Sequence, residues 1–286
     1  MSQYWEKAIH AWSSDSTRYI MTPSKKSSEM FFYIQEIGHF KAFQPYYTER
    51  ANQKSYLMKY TLSGTGRLLY KNKEYILNTG DVFFIDCREY QYYETISEDP
   101  WEMDWIHLYG QATESFYQEY LKEGGQTFHS DNLRIHHLMT NLINLQEDRN
   151  ARTEFLTSLL IHDLLNELVI QKNLLNFTTQ EIPAYIAELR QYLEHNYNQG
   201  ITLDLLEKKF MINKYQLNKE FSKFIGTPPI DYLISQRINV AKDLLRFTNR
   251  QIKSIALEVG IENTAYFSRL FKQKTGITPN EHRKNS

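Results

Sequence analysis

The sequence predicts an α+β chain in two domains: a small N-terminal β-barrel or sandwich with flanking helices, and a C-terminal all-α domain of two helix-turn-helix units joined by a long helix. Three observations carry that prediction. Over the first 110 residues, short runs alternate apolar and polar side chains. From about Asp131, apolar residues recur at spacings of three and four. In the last third, one pattern occurs twice, fifty positions apart. At 286 residues the chain suits two cores better than one.

The N-terminal part opens with MSQYWEKAIHAWSSDS, which is charged and lacks the continuous apolar run of a secretory signal. In YLMKYTLSGTGRLLYKNKEYILNTGDVFFID, the alternation is broken at Gly64, Gly66, Lys71–Asn72 and Gly80–Asp81, the punctuation of short strands and tight turns. Around it stand Tyr46, Tyr47, Arg50, Tyr56, Tyr90, Tyr92, Tyr93, Trp101 and Trp105. On a strand WEMDWIHL, residues two apart share a face, so Trp101, Met103, Trp105 and His107 are expected together. Flat aromatic faces beside forked charged groups suit a hydroxylated ligand; the same aromatics also suit a barrel core.

A metal site needs three or four N or O ligands converging on one ion. No His-x-His occurs, DCREYQYYET offers Tyr90, Gln91 and Tyr92, and the adjacent His136 and His137 would diverge on a helix. Neither a metal nor another cofactor is expected. A single cysteine, Cys87, excludes an intramolecular disulfide and reads as a buried, inert thiol.

The next segment reads as helical. Ile135, Leu138, Leu142 and Leu145 form one stripe, and Phe155, Leu156, Leu159, Leu160, Leu164, Leu165 and Leu168 a broader one. They predict either a helical pair packed on the barrel or an interface between two copies. KNLLNFTTQEIP reads as the hinge, with Pro183 near the first helix beyond it. The division expected is therefore a barrel over residues 1–112, a helical dimerisation or linker region over 113–178 and an all-α domain over 181–286.

The repeat defines that last domain. Asn213, Leu217, Phe221, Gly226 and Pro229 in the first copy stand where Asn263, Phe267, Phe271, Gly276 and Pro279 stand in the second. An Asn to cap a helix, apolar residues four apart, a Gly to stop the helix and a Pro to start the next describe a short helix ended on schedule. Amphipathic stretches precede each, Thr202 to Phe210 and Gln251 to Val259, giving helix-turn-helix units at about 202–225 and 251–275. Between them PPIDYLISQRINVAKDLLRF repeats apolar residues at helical spacing, and a helix of about twenty residues spans roughly 30 Å. That length holds two reading helices about one DNA turn apart. With Leu217, Phe221 and Phe224 inward, Lys214, Tyr215, Asn218 and Lys219 face out. With Asn263 as cap and Phe267, Leu270 and Phe271 inward, Thr264, Ala265, Ser268, Arg269 and Lys272 face out. These ten residues are the expected DNA contacts.

Charge agrees. Residues 181–286 carry sixteen Lys and Arg against eleven Asp and Glu, a net of +5, which leaves −6 for residues 1–180. Only the C-terminal third is expected to meet a polyanion. No stretch has the length and apolarity to cross a membrane, and a cytoplasmic location is expected.

The run IKSIALEVGIENTAYFSRLFKQKTGITPNEHRK closely resembles the C-terminal signature of the AraC/XylS family of transcription regulators. Ile255–Ala256, Gly260, Tyr266–Phe267, Arg269, Phe271–Lys272, Gly276, Pro279 and Arg283 fall at its positions. Ile261 stands where the family has Phe, and Glu207 where the first unit has a small Ala, which is expected to loosen packing between that unit's two helices. The placement of SGTG, GDVFFID and WEMDWIHLYG resembles the cupin-like sensor half of sugar regulators of this family, closest to those of multiple-sugar and raffinose uptake. The resemblance implies a homodimeric, sugar-responsive activator that binds operator DNA and RNA polymerase. Its effector, a mono- or oligosaccharide, would meet Arg50, Tyr90, Tyr92, Met103 and Trp105. The alternatives from other classes are a cupin-type enzyme, which the missing ligands disfavour, and an effector-independent DNA binder, which the polar and aromatic barrel disfavours.

Overall fold

The computed structural model describes residues 3–122, 124–130, 132–175 and 181–285. The chain divides into two compact units, Met1–Asn176 and Phe177–Ser286. Asp131 and residues 176–180 of the expected hinge lie outside the described residues.

The N-terminal unit is built on two antiparallel sheets. One has the order β1 (Trp5–Ile9), β4 (Tyr47–Ala51), β9 (Gln91–Thr95), β6 (Gly66–Tyr70), β7 (Lys73–Leu77). The other runs β11 (Thr127–His129), β8 (Asp81–Asp86), β5 (Tyr56–Ser63), β10 (Trp101–Tyr109), β3 (Tyr33–Ala42), β2 (Thr17–Ile20). β6 and β7 are joined by Lys71 and Asn72, both at positive φ (50° and 59°), the geometry that matches strand twist in a two-residue turn. Gly66 is required by close approach: a Cβ there would stand 2.4 Å from the ring of Trp101, which is fully buried.

Both faces of the six-stranded sheet are covered. Toward the other sheet point Leu57, Phe83, Ile85, Met103 and Trp105, which meet Leu68, Tyr70 and Tyr93. On the opposite face Tyr56, Met58, Tyr60, Val82, Phe84, Ile106 and Leu108 pack under three helices, α2 (Thr113–Tyr120), α3 (Arg134–Asn144) and α4 (Thr153–Lys172). A short α1 (Lys25–Met30) precedes β3. The division expected at residue 112 is therefore not a boundary in the packing, because β11 returns to pair with β8 and the helices share a core with the barrel. The helical stripe splits: Ile161, Leu164, Leu165 and Leu168 are buried in that core, while Phe155 and Leu159 of α4 remain 50% and 64% exposed.

One polar cluster ties α3 to the sheet. Asp104 of β10, almost fully buried, accepts from Nδ1 of His39 on β3 at 2.8 Å and from Nδ1 of His136 on α3 at 2.7 Å.

In the C-terminal unit, α5 (Ala184–His195) precedes two equivalent pairs: α6 (Leu203–Phe210) with α7 (Lys214–Ile225), and α9 (Ile252–Glu258) with α10 (Thr264–Thr275). α8 (Pro229–Phe247) joins the pairs and α11 (Pro279–Lys284) ends the chain. The caps fall where the repeat predicts. Asn213 and Asn263 accept from the backbone of Tyr215 and Tyr266, Gly226 and Gly276 close α7 and α10 at φ 86° and 82°, and Pro229 and Pro279 open the next helices. The turns differ. In the second pair Gly260 (φ 78°) lies so near Asn198 that a Cβ would approach its carbonyl oxygen to 2.6 Å. In the first pair the corresponding left-handed residue is Met211 (φ 54°), 92% exposed, where the conformation costs about 1–2 kcal/mol relative to an unstrained residue.

The 19 residues of α8 serve two cores at once. Leu233 packs with Leu206, Leu217 and Phe221; Ile238, Ala241 and Leu245 pack with Ile255, Phe267 and Phe271. Arg237, between them, donates to the carbonyls of Tyr197 and Gln199 at 2.7 and 2.6 Å, fastening the loop before α6 to the middle of the helix.

The Asp104 cluster predicts a pH dependence. The carboxylate raises the pKa of both histidines, chiefly by hydrogen bonding. In return the two imidazoles lower that of Asp104 against its burial. The histidine contribution is complete below about pH 6.5, the unfolded value, and is lost as pH rises through the raised folded values. The Asp104 contribution is present above about pH 4 and is lost as pH falls through its lowered value. Stability of this unit is therefore expected to peak at mildly acidic pH. Asp104→Asn should cost about 1–3 kcal/mol at pH 6 and less at pH 8.5 in denaturant titrations; an equal cost at both would remove the charge from the account.

Candidate functional site

α7 and α10 are the second helices of their pairs, the position that enters a DNA major groove in a helix-turn-helix. On α10, the Phe267, Leu270 and Phe271 stripe is buried, which leaves Ala265, Tyr266, Arg269 and Lys272 exposed and Thr264 and Ser268 half-buried. Arg269 makes no side-chain hydrogen bond or ion pair among the described residues. Other arginines of this unit are engaged internally: Arg237 as above, Arg250 with Glu258, and Arg283 with the carbonyl of Arg250 at 2.6 Å. Asn263 is committed to its cap, and the Ser268 hydroxyl donates to the carbonyl of Thr264 at 3.0 Å, which leaves its oxygen free to accept. Tyr266 is the exposed residue that sequence reasoning passed over.

On α7, Tyr215 is 77% exposed, Lys219 is exposed and Asn218 half-buried. Lys214, expected as a DNA contact, is also engaged within the protein. Its Nζ pairs with Asp204 at 2.8 Å, and its backbone N–H donates to Glu207 at 3.3 Å. Glu207 therefore does not sit between α6 and α7 as a misfit: Leu206 fills the core, and the carboxylate takes up one of the unpaired N–H groups at the start of α7, where negative charge is favoured.

The second candidate lies between the sheets of the N-terminal unit. A cavity of about 390 Å³, including its open mouth, is lined by Glu6, His10, Trp12, Arg18, Glu36, Phe40, Tyr46, Thr48, Arg50, Lys59, Tyr93, Trp105 and His107. Strand parity explains the lining. Alternation on β5 sends Tyr56, Met58 and Tyr60 under the helices and Leu57, Lys59 and Thr61 inward; on β10, Met103, Trp105 and His107 point the same way. Arg50, reaching in from β4, donates to the Tyr93 hydroxyl at 2.5 Å and to Nε2 of His107 at 2.6 Å, and pairs with Glu6 at 3.1 Å. Because Nε2 accepts, the ring proton is assigned to Nδ1, 3.0 Å from the Ser55 hydroxyl. Burial, with Arg50, Lys59 and Arg18 nearby, pushes the His107 pKa well below its usual value. Trp12 stacks on Phe40 at 4.3 Å, and Phe40 meets Trp105 at 5.0 Å, forming an aromatic wall.

The expected effector residues divide. Arg50 and Trp105 line the cavity, and buried Met103 touches Lys59, its Sδ 3.3 Å from Nζ. Tyr90 and Tyr92 do not reach it. Tyr92 stacks on Tyr47 and donates to Glu94, and Tyr90 lies exposed against Trp5 and Glu49, all on the outer side of the five-stranded sheet. The inward residues of β9 are Gln91 and Tyr93. The presence of Glu94 two residues from Tyr92 is the signal that could have assigned that face to solvent. Cys87, fully buried near Gln91 and His107, has its thiol pushed up to about 11 by burial. Among the described residues, no three His, Cys, Asp or Glu side chains are placed to hold a metal ion, and no helix is long and apolar enough to cross a membrane.

Comparison with known proteins meets both units. Residues 33–165 match the AraC-like ligand binding domain and residues 206–285 a helix-turn-helix domain. Three relatives align over most of their length. The MmsAB operon regulatory protein of Pseudomonas aeruginosa is 23% identical over 261 residues, 88% of this chain and 82% of its own. The raffinose operon transcriptional regulatory protein RafR of Pediococcus pentosaceus is 24% identical over 271 residues, 90% and 94%. The lactose operon transcription activator of Staphylococcus xylosus is 24% identical over 237 residues, 81% and 84%. With a sensor half and a two-fold helix-turn-helix half in that order, the chain belongs to the AraC family of DNA-binding transcription regulators.

Proposed function

We propose that this regulator is a homodimeric, sugar-responsive activator that acts in the cytoplasm through operator DNA and RNA polymerase, without catalysis. The observation that carries the reading is the union, in one chain, of a cavity walled by aromatic rings and buried hydrogen-bond donors with two reading helices on a shared axis. The names of the raffinose and lactose relatives support a sugar effector, and the latter an activator's partnership with polymerase. The exposed Phe155 and Leu159 of α4, one helical turn apart, support a second copy as the partner on that helix.

In this reading Arg269 and Ser268, with Thr264, Ala265 and Tyr266, read base edges from α10, and Lys272 holds a phosphate. On α7, Tyr215 and Asn218 read bases while Lys214 and Lys219 meet the backbone. Asn263 acts by fixing the start of α10. The effector meets Arg50, Trp105, Tyr46, Tyr93 and Lys59, with Met103 behind them.

Arg269→Ala is expected to weaken binding to a cognate duplex by about 1–3 kcal/mol and to relax specificity at one position. Asp204→Asn, which releases Lys214, should tighten binding and steepen log affinity against log salt by about one unit. Fluorescence anisotropy over a salt series measures both; an unchanged Arg269→Ala affinity would return that residue to the solvated face.

For the sensor, Trp105→Phe and Arg50→Ala should lose effector-dependent transcription while the protein still binds DNA, because cavity and reading helices lie in separate units. Tyr90→Phe and Tyr92→Phe should respond like wild type. Melting temperatures taken alongside separate a pocket role from a core role, in which truncation to Trp105→Ala costs about 3–5 kcal/mol. Loss of response in the Tyr92 variant with retention in the Trp105 variant would reverse the placement of the site.

A further inference from the structure

The charges that line the cavity do not cancel. Arg18 of β2 pairs with Glu36 of β3 at 2.7 Å, and Arg50 pairs with Glu6 at 3.1 Å. The third cation, Lys59, is 2% exposed and has no carboxylate partner among the described residues. Its Nζ meets the Tyr46 hydroxyl at 3.2 Å and Met103 Sδ at 3.3 Å, and stands 3.8 Å from the centre of the Tyr93 ring and 4.9 Å from that of Trp101. Ring faces attract a cation, but they do not replace the counter-charge that a buried ammonium requires.

Two further donors face the same space. The Nε of Arg50 and the Nε1 of Trp105, both buried, find no acceptor among the described residues. Arg50 lies against the same Tyr93 ring as Lys59, 5.7 Å from its centre, so the unmatched charge and an unmatched guanidinium donor converge on one part of the cavity. Burial, and after it the charge of Arg50, push the Lys59 pKa well below its usual value, so the amine is driven toward its neutral form until an anion joins it. The field has the same sign elsewhere: each electrostatic influence on His107 comes from a cation. A neutral sugar supplies acceptors for Arg50 and Trp105 but brings no counter-charge that would let Lys59 hold its proton.

We propose that the effector is a small polyhydroxylated molecule carrying an acidic group, a carboxylate or a phosphate, that seats against Lys59. The inference rests on the reading of this cavity as the effector site and narrows it. One anionic group lets Lys59 carry its proton and balances the resulting charge. The aromatic wall of Trp12, Phe40 and Trp105 is left to the ring of the ligand, and the donors of Arg50 and Trp105 to its hydroxyls or the remaining acid oxygens.

The test uses the full chain and matched ligands: glucose with glucuronate and glucose 6-phosphate, galactose with galacturonate and galactose 6-phosphate, and inorganic phosphate as the bare anion. Melting temperature is followed over a concentration series, since a ligand that binds the folded state raises it by mass action. At least one acid is expected to act at a tenfold lower concentration than its neutral parent and than inorganic phosphate, and the carboxylate and phosphate arms identify which acid. Lys59→Met, which keeps Arg50 and Trp105, should melt at or above the wild-type temperature and lose the tenfold preference. A neutral sugar that binds as well as its acid overturns the inference while leaving the sugar reading standing. Inorganic phosphate as potent as the sugar acid, or a Lys59→Met protein that keeps the preference, also overturns it. A wild-type protein indifferent to the whole panel contradicts both readings. The wild-type comparison decides even if the variant does not fold.

Discussion

Leu233 on one turn of α8 is locked into the core of the first helix-turn-helix pair, and Ile238, Ala241 and Leu245 on later turns are locked into that of the second. A helix rises 1.5 Å per residue and does not stretch, so this double membership fixes the separation and relative rotation of α7 and α10 through α8. Arg237, bound to the Tyr197 and Gln199 carbonyls, and Gly260, pressed against Asn198, tie the two halves a second and third time. DNA reading by such a unit is a matter of matching one rigid spacing to the pitch of the duplex.

The sensor is organised by a different constraint, the two-residue period of strands whose faces are both buried. Because helices α2 to α4 dry one face of the six-stranded sheet, the residues displaced from that face enter the interior between the sheets, whatever their polarity. Lys59 and His107 are interior for this reason and not because their chemistry favours burial. Such a polar interior is costly to hold together and is tolerable where a ligand completes it.

The C-terminal unit was almost fully legible because its signals are local. Caps, stop glycines and start prolines act within four residues, and the fifty-residue repeat wrote them twice. What it did not reveal were partners distant in sequence: Asp204 holding Lys214, or Glu207 serving the start of α7 instead of loosening its packing. In the barrel, the strands and the shared face of Trp101, Met103 and Trp105 were readable from alternation. The choice between Tyr92 and Tyr93 was not, because consecutive tyrosines carry no polarity difference and the deciding clue lay in Glu94. Lys59 was missed for a related reason: a lysine on an alternating strand reads as solvent-facing unless the other face is known to be covered.

The central claim, two reading helices at one fixed spacing, is tested most directly by selecting bound duplexes from a random pool with the full chain and then changing the spacing in the selected site. The account predicts two short sequence blocks centred about one helical turn, roughly 10 base pairs, apart. It also predicts that inserting half a turn between them removes the contribution of one block. A single block, or binding indifferent to the insertion, would contradict it.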